Sequence, residues 1–239
     1  MRDQSDQQLA RMTRRSLLSG GAAALGGAAI WEWVRSRPLD NGVPSPLRAG
    51  LKANEALARS YFRDARLAPT FAPGAAESLP VNGTVGIEDD PDPEWRLKFA
   101  GLSLSLADIQ ALPKTVMTTE FKCIEGWSRV VTWGGARFCD FVARFDRGAQ
   151  ARFPYVALET PDGDYYVGLD TASAMHPQTV LCYEMNGRPL TSGHGAPLRL
   201  IIPVKYGIKN LKRIGKIDFS DSRPKDYWAE RGYDWYAGF

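Results

Sequence analysis

Short strand-like runs separated by glycine and proline turns constrain the fold of this chain more than any other feature. Residues 95–101 and 116–121 alternate in polarity, and Asp162-Gly163 joins 153–159 to 165–169 as a predicted hairpin. Further strands are predicted at 179–184, 198–203 and 214–219, and helices at 52–62, 106–111 (after a Ser105 cap) and 137–145. Because no regular strand–helix–strand alternation appears, we predict an α+β fold with a mixed β-sheet and short helices.

The length of 239 residues is enough for one large domain with a proper core. We expect this core at 95–220. Residues 36–94, which begin with the proline-containing stretch 38–50, are expected to form a linker and N-terminal extension. Residues 221–239 are expected to form a C-terminal tail packed on the core.

The first 35 residues have the pattern of an export signal. Residues 13–18 read Thr-Arg-Arg-Ser-Leu-Leu, which resembles the twin-arginine pattern, and the uncharged, Gly- and Ala-rich stretch 16–31 follows. Such a weakly apolar stretch fits export better than a stable membrane span, which needs about 20 strongly apolar residues. There is no clear Ala-x-Ala cleavage site, and Trp31 and Trp33 suit a membrane interface. The signal therefore predicts a periplasmic protein that uses the twin-arginine machinery, either cleaved or kept as an N-terminal anchor.

A cysteine at the end of a predicted strand is the first candidate for chemistry. The run 116–121 is followed by Cys123, Glu125, Gly126 and Trp127. A cysteine where a strand gives way to a turn is presented outward, and thiolates serve as nucleophiles and metal ligands. On these residues alone, burial as a small apolar side chain is the slightly commoner arrangement for a free cysteine.

The three cysteines Cys123, Cys139 and Cys182 do not form a disulfide framework, and they lack the Cys-x-x-Cys spacing of structural zinc sites. The absence of Cys-x-x-Cys-His excludes a covalently attached c-type haem. An odd number of cysteines in an exported protein leaves at least one thiol unexplained, and metal ligation by Cys123 would explain it.

Positive charge concentrates in one part of the chain. Residues 199–216 carry six basic residues and no acidic residue, interleaved with Leu, Ile and Val. This pattern indicates a folded element with an anion site, or alternatively a solvated basic face. The net charge of +3 gives no indication of a nucleic-acid partner, and we expect none.

Four sequence blocks carry a resemblance to a known family. They are Cys-Ile-Glu-Gly-Trp-Ser at 123–128, Tyr-Val-Ala-Leu-Glu-Thr at 155–160, Ala-Met-His-Pro at 174–177, and 193–200 running on into 203–209. Together they resemble the molybdopterin-dependent oxidoreductases of the sulfite oxidase superfamily, and within it the branch of the periplasmic methionine-sulfoxide reductase catalytic subunit. The resemblance covers roughly 95–220 and implies a sulfite-oxidase-type fold that binds molybdenum-molybdopterin.

The resemblance assigns catalytic roles to Cys123 and Glu125. In the family, one cysteine thiolate binds molybdenum beside the two dithiolene sulfurs of molybdopterin, and Cys123 matches that position. Soft thiolates suit redox metals independently of the resemblance. Glu125 is similar to a glutamate of the sulfoxide-reductase branch, whereas eukaryotic sulfite oxidases carry basic residues soon after their cysteine. A carboxylate would repel sulfite and favour a neutral substrate, although Glu125 as a surface carboxylate and compensation by Arg129 remain open.

Seven further positions match blocks that contact the cofactor in the family. Thr160 matches a cofactor-contacting threonine, and His176 either lines the site or is a structural histidine. His194 stands where the sulfoxide-reductase branch has asparagine, a change of donor that could alter the molybdenum potential. Arg199 is expected to meet the anionic part of the cofactor, since a guanidinium fork suits phosphate. Gly207, Ile208 and Lys209 match the loop at the phosphate end, where Lys209 would supply charge.

The resemblance therefore implies an enzyme that transfers oxygen atoms at a Cys-ligated molybdenum, reducing a sulfoxide-type or N-oxide substrate. Because the chain has no haem motif, its electrons would come from a haem-containing partner, either a membrane b-type subunit or a c-type cytochrome. The alternatives are a sulfite dehydrogenase of the same fold and a non-catalytic binding domain.

Overall fold

The strand predicted ahead of Cys123 is one arm of a long antiparallel hairpin. The computed structural model describes residues 2–40, 42–87, 89–146 and 149–239. Within them, pairing of the two arms runs from Lys114 opposite Ala136 to Lys122 opposite Ser128. The turn between the arms carries Cys123, so the hairpin fixes where the thiol is presented.

The chain forms two compact units, Met1–Gly50 and Leu51–Phe239. The α-helices formed by the described residues are α1 (Arg2–Arg35), α2 (Ser45–Tyr61), α3 (Leu106–Gln110), α4 (Phe138–Phe145) and α5 (Thr171–Ala174). None of these helices combines the length and the apolar character that a membrane crossing requires.

The strands are short apart from the two arms of the hairpin. In chain order they are β1 (Leu39–Asp40), β2 (Val43–Pro44), β3 (Leu97–Phe99), β4 (Leu102–Leu104), β5 (Lys114–Lys122), β6 (Ser128–Arg137), β7 (Tyr155–Glu159), β8 (Tyr166–Asp170), β9 (Val180–Met185), β10 (Arg188–Pro189), β11 (Arg199–Ile201) and β12 (Lys216–Ser220).

Two five-stranded sheets make up the second unit. The first has the order β10-β9-β6-β5, with β11 also pairing with β9, and its pairs are antiparallel. The second has the order β4-β3-β12-β7-β8, in which β12 is parallel to β3 and the other pairs are antiparallel. Mixed sheets with few helices confirm the predicted α+β class.

The two faces of the first sheet pack into different hydrophobic clusters. In β9, Leu181 and Tyr183 belong to the main core, which also contains residues of β3, β7, β8 and β12 from the second sheet. Val180 and Cys182 belong to a smaller cluster with Trp133. Since neighbouring residues of a strand face opposite sides, the main core lies between the sheets and the smaller cluster lies on the outer face of the first sheet.

The structure confirms most of the predicted elements and corrects two of them. The helix predicted at 52–62 begins earlier, at Ser45. Pro46 occupies its first turn, where proline is tolerated because the first N–H groups of a helix have no intrahelical partner. Strand β6 was not predicted, because its Gly134-Gly135 pair reads as a break. An added Cβ at Gly135 would lie 2.1 Å from the carbonyl oxygen of Leu181, so the close approach of β9 requires glycine there.

Residues 221–239 are anchored by buried side chains. Asp226, Trp235 and Tyr236 are each less than a tenth exposed. Asp226 forms a buried ion pair with Lys209, and the indole nitrogen of Trp235 donates to the carbonyl oxygen of Pro224. The Lys209–Asp226 ion pair holds the tail beside the turn 207–209.

Candidate active site

The turn after β5 presents the Cys123 thiol. The backbone N–H of Cys123 donates to the carbonyl oxygen of Trp127 at 2.9 Å, and the N–H of Gly126 donates to the carbonyl oxygen of Cys123 at 3.3 Å. Gly126 has φ +90°, in the left-handed region where glycine has no steric penalty. The thiol is half-buried in this turn rather than packed in the core, which is the outward-facing arrangement and not the slightly commoner buried one.

Cys123 opens into a cavity of about 170 Å³. One ordered water needs only about 10–15 Å³ on the same measure, so the cavity is large enough for an organic ligand. Its walls come from several parts of the second unit: 79–85, the turn 121–127, Tyr165, the region 194–212, and Trp228 and Tyr233 of the tail. The walls are mostly apolar, with a few polar groups among them, which is the usual character of a ligand site.

The Glu125 carboxylate is held beside the thiol. One of its oxygens, Oε2, accepts a hydrogen bond from Nδ2 of Asn82 at 3.1 Å and another from Nε1 of Trp127 at 3.2 Å. The same Asn82 nitrogen lies 3.7 Å from Sγ of Cys123. Asn82 therefore touches both residues predicted to be catalytic and keeps the carboxylate at the exposed rim of the cavity, next to the sulfur.

The glycines on either side of His194 make room for two neighbouring segments. An added Cβ at Gly193 would meet the Val81 side chain at 3.1 Å, and one at Gly195 would meet Cβ of Lys212 at 2.7 Å. Gly195 also has φ +92°. The Gly-His-Gly sequence thus lets 79–85 and Lys212 pack closely on both sides of His194, which lines the cavity between them.

Arg199 is a buried cation without a buried anion. It is 1% exposed, and its Nη1 and Nη2 donate only to the carbonyl oxygens of His194 and Asn210. Its guanidinium also lies 5.1 Å from the Trp133 ring centroid. Nε has no hydrogen-bond partner, and the described residues place no carboxylate within ion-pair distance. Burial lowers the pKa of Arg199 to about 10, so the guanidinium is still charged at pH 7. An uncompensated buried cation that lines a cavity indicates an anion site.

His194 is a neutral donor or acceptor at the same wall. Burial, followed by the charges of Arg199 and Lys212, lowers the pKa of His194 to about 4, so the imidazole is uncharged at pH 7. Its Nδ1 is buried and lacks a hydrogen-bond partner in the part of the chain that the structure describes. A ligand in the cavity would supply the missing partner.

Lys212 adds a second positive charge, with its donors already in use. Its Nζ donates to the carbonyl oxygens of Asn82, Gly83 and Gly193 at 2.8, 2.9 and 2.9 Å. An ammonium has three N–H donors, so all of them are used. Burial and the Arg199 charge lower the pKa of Lys212 to about 8, which leaves it mainly charged at pH 7.

Six of the nine predicted site residues line this one cavity: Cys123, Glu125, His194, Arg199, Gly207 and Ile208. The structure does not place Thr160, His176 or Lys209 in its wall. Thr160 is buried in the β7–β8 turn, where its hydroxyl donates to Asp162 and accepts from the N–H of Tyr165. The Thr160 hydroxyl therefore has both a hydrogen-bond acceptor and a donor within the protein and needs no ligand as a partner.

His176 lies elsewhere and has its own partners. Its ring is fully buried, with Nε2 3.3 Å from the carbonyl oxygen of Arg66 and Nδ1 accepting from the N–H of Gln178. Burial lowers the pKa of His176, so the ring is neutral. Of the two alternatives left open by the sequence, this geometry supports a structural histidine.

Lys209 directs its ammonium into the protein interior. Nζ pairs with Asp226 at 2.5 Å and donates to the carbonyl oxygen of Gly168, and the side chain is fully buried. The charge predicted to face the cofactor is therefore neutralised within the fold. Contact through this turn remains a prediction for Gly207 and Ile208, whose atoms line the cavity.

Several cavity residues were not assigned to the site from the sequence, among them Asn82, Lys212, Trp228 and Tyr233. Asn82 and the two aromatic residues are far from the cysteine turn in the chain and lie in segments read as extension or tail, so no local pattern marks them. Lys212 belongs to the basic run, but its spacing alone does not distinguish it from the other lysines.

Molybdopterin fits these residues. Cys123 offers a soft thiolate for the metal, and the free Nε of Arg199 and Nδ1 of His194 offer hydrogen bonds to an anionic organic group. Among the described residues there is no cluster of three or more His, Cys, Asp or Glu side chains that could hold a metal ion.

Known proteins resemble this chain over most of its length. Residues 82–228 match the model of the oxidoreductase molybdopterin binding domain. A protein of Azospira oryzae, provisionally assigned as a protein-methionine-sulfoxide reductase subunit, is 32% identical over 234 residues, which cover 94% of this chain and 86% of that one. The protein-methionine-sulfoxide reductase catalytic subunit of Ralstonia nicotianae is 29% identical over 250 residues, which cover 94% of this chain and 74% of the relative.

Among solved structures, the sulfane dehydrogenase SoxCD of Paracoccus pantotrophus aligns with a TM-score of 0.49 and 16% identity, over 67% of this chain and 46% of that one. The match to the domain model covers more than half of the chain and includes every residue of the cavity wall except Leu79, Pro80 and Tyr233. The chain therefore belongs to the oxidoreductase molybdopterin binding domain family and is an oxidoreductase that depends on molybdenum-molybdopterin.

Proposed function

We propose that this protein reduces a neutral sulfoxide-type or N-oxide substrate at a molybdenum ligated by Cys123. The observation that carries the proposal is the Glu125 carboxylate held beside the Cys123 thiol by Asn82. The Azospira and Ralstonia relatives, both named for protein-methionine-sulfoxide reduction, support the same substrate class.

The charges around the thiol favour a neutral substrate. Glu125 places a carboxylate at the rim, where it repels an anion such as sulfite. Arg129, which could have compensated for it, instead pairs with Glu77 at 3.3 Å and does not line the cavity. The two cavity cations, Arg199 and Lys212, keep their charges, and we assign Arg199 to the anionic part of the cofactor. Negative charge at the rim is therefore not cancelled by a neighbouring surface arginine.

When bound, the molybdenum cofactor supplies two-electron oxygen-atom transfer, and the chain supplies binding, orientation and proton handling. Cys123 holds the metal as a thiolate. Arg199 and His194 hold the anionic part of the cofactor. The apolar walls, including Ile124, Trp127 and Trp228, exclude water and accept the apolar substituents of a sulfoxide.

Glu125 is placed to handle a proton. Reduction of a sulfoxide to a sulfide releases its oxygen as water and consumes two protons with the two electrons. Oε2 of Glu125 already accepts two hydrogen bonds, from Asn82 and Trp127, so Oε1 is the oxygen that would carry a proton towards the substrate.

The electrons must come from another protein, since the sequence contains no site for covalent haem. We propose a haem-containing partner, either a membrane b-type subunit or a c-type cytochrome. We also propose that the protein acts in the periplasm and is exported, after folding, by the twin-arginine route. Residues 1–35 would then be the signal or an anchor.

Substrate preference tests the proposed reaction directly. Reduced, dye-coupled wild-type protein should turn over sulfoxides faster than the oxidised protein turns over sulfite. Glu125→Gln should lower sulfoxide turnover by about 10²-fold or more, the usual contribution of a positioned proton donor, and should improve sulfite turnover. Steady-state assays of both substrates decide the matter. Faster sulfite oxidation by the wild type would reverse the assignment in favour of a sulfite dehydrogenase, and turnover of neither substrate would favour a binding domain.

Cofactor retention tests the role of Arg199. Arg199→Met should weaken cofactor binding roughly 10- to 150-fold, because a charge-assisted contact contributes roughly 1.5–3 kcal/mol. Pterin content after gel filtration is the measurement. Arg129→Met, which removes an arginine outside the cavity, is the matched control and should retain the cofactor. Full retention in Arg199→Met would show that Arg199 is not part of the cofactor site.

Export tests the proposed route. Arg14→Lys combined with Arg15→Lys keeps both positive charges but removes the guanidinium geometry that a twin-arginine receptor would recognise. We expect the double variant to accumulate in the cytoplasm, folded and loaded with molybdenum, as measured by fractionation with a molybdenum assay on each compartment. Normal export of this variant would refute the twin-arginine route.

A further inference from the structure

Helix α2 supplies a buried carboxylate to the second unit. Glu55 lies on this helix and is 5% exposed. Its two carboxylate oxygens accept hydrogen bonds from Nη1 and Nη2 of Arg223 in the tail, at 2.9 and 2.5 Å. One of the same oxygens lies 3.0 Å from Nε of Arg59, four residues further along the helix. A single carboxylate therefore orients two guanidinium groups, one from α2 and one from the tail.

Both guanidinium groups lie on aromatic rings of the tail. The Arg223 guanidinium is 4.5 Å from the ring centroid of Trp235, and that of Arg59 is 5.2 Å from the ring centroid of Tyr236. These distances are within the range of cation–π attraction, and both rings are buried. Glu55 thus attaches α2 to the stretch of tail that carries Trp235 and Tyr236.

The tail between 226 and 236, which we call the tail turn, is held at its two ends by different partners. At the first end, Asp226 pairs with Lys209 of the core. At the second end, the indole nitrogen of Trp235 donates to the carbonyl oxygen of Pro224 at 3.0 Å, directly after Arg223 in the chain. The Glu55 network therefore serves the second end, and the Lys209 ion pair serves the first.

The tail turn presents two aromatic side chains to the cavity, Trp228 and Tyr233. The N–H of Tyr233 donates to the carbonyl oxygen of Trp228 at 3.0 Å, and their ring centroids lie 5.1 Å apart in an edge contact. Tyr233 is 37% exposed, so part of its ring is free to meet a ligand. Trp228 is two residues after Asp226, whereas Tyr233 is two residues before Trp235. Each ring is therefore closest to a different end of the tail turn.

We propose that Glu55 is a positioning residue that holds Tyr233 in the cavity wall through Arg59 and Arg223, and that the Tyr233 ring packs against the apolar substituent of the sulfoxide. The substrate contact rests on the proposed function, whereas the positioning role does not. Helix α2 thereby acts on the cavity from outside its wall. A free aromatic face favours sulfoxides with an aryl substituent over dimethyl sulfoxide.

Hydrogen exchange in the holoenzyme separates this role from a general structural one. Glu55→Gln keeps the size of the side chain and removes the charge that orients both arginines. Exchange of amides 233–237 should become roughly 10-fold faster or more, because the second end of the tail turn loses its restraint. Exchange of amides 227–230 should stay within about 2-fold of the wild type, since the Lys209–Asp226 ion pair remains. A general loss of stability would accelerate both ends.

Substrate preference reports the position of Tyr233. The ratio of kcat/KM for methyl phenyl sulfoxide to kcat/KM for dimethyl sulfoxide should fall about 2- to 10-fold in Tyr233→Ala, because an aromatic contact is lost. The fall should come mainly from KM. Glu55→Gln should lower the same ratio, and the double variant should fall no further than the more affected single variant.

Glu94→Gln is the matched control, because it neutralises an exposed carboxylate outside the cavity. It should match the wild type in both measurements. Unchanged exchange at 233–237 in Glu55→Gln, or equal acceleration at both ends, would overturn the positioning role. An unchanged substrate ratio in Tyr233→Ala, or losses that multiply in the double variant, would overturn the contact with the substituent.

A second variant covers the case in which Glu55→Gln does not fold. Arg223→Lys keeps the positive charge but loses the two-pronged contact with Glu55, and it should show the same difference between the two ends of the tail turn. Equal exchange rates at 233–237 in this variant and the wild type would overturn the inference. A wild type that turns over no sulfoxide would refute the proposed function instead. The exchange measurement needs no turnover, so it would still confirm or overturn the positioning role of Glu55.

Discussion

Burial of the Arg199 guanidinium without a carboxylate is the interaction on which the cavity depends. Removing an ion from water costs several kcal/mol even after the protein relaxes, and a protein of ordinary stability has only about 5–15 kcal/mol in total. Arg199 recovers part of this energy from two carbonyl oxygens and the faces of two aromatic rings, but Nε remains open. An anionic ligand would supply a hydrogen-bond partner for Nε and a balancing negative charge, so cofactor binding would also stabilise the fold.

Four basic residues of the second unit show the difference between charge that is balanced inside the fold and charge that lines the cavity. Lys205 lies 3.4 Å from Asp170, and Lys209 lies 2.5 Å from Asp226, so both charges are balanced inside the fold. Arg199 and Lys212 have no such carboxylate among the described residues, and both line the cavity. The Lys209–Asp226 ion pair fixes the turn that carries Gly207 and Ile208 beside the tail that carries Trp228 and Tyr233.

The sequence predicted the fold well where local signals agree. The capping box at Ser105, the Asp162-Gly163 hairpin and the strand before Cys123 all lie where polarity and turn residues placed them. Strand β6 was missed because the reason for Gly135, close contact with β9, involves residues far away in the chain. The early start of α2 was missed because a proline reads as a break, although the first turn of a helix tolerates it.

The site was predicted only in part, because a short motif shows local geometry but not contacts with distant segments. Motif blocks located Cys123, Glu125, His194 and Arg199, because a short motif carries both the residue and its local geometry. The direction of a side chain depends on partners elsewhere, so the Asp226 partner of Lys209 and the Asn82 contact with Glu125 could not be read from the chain. Both are contacts between segments that are distant in sequence, and only the folded structure brings them together.

Molybdenum K-edge X-ray absorption tests most directly whether Cys123 is the protein ligand of the molybdenum. The measurement compares purified wild-type protein with Cys123→Ser, and Cys139→Ser serves as the control because Cys139 lies on α4, outside the cavity. We predict that the metal loses one sulfur neighbour in Cys123→Ser and none in Cys139→Ser. An unchanged number of sulfur neighbours in molybdenum-loaded Cys123→Ser would contradict the account.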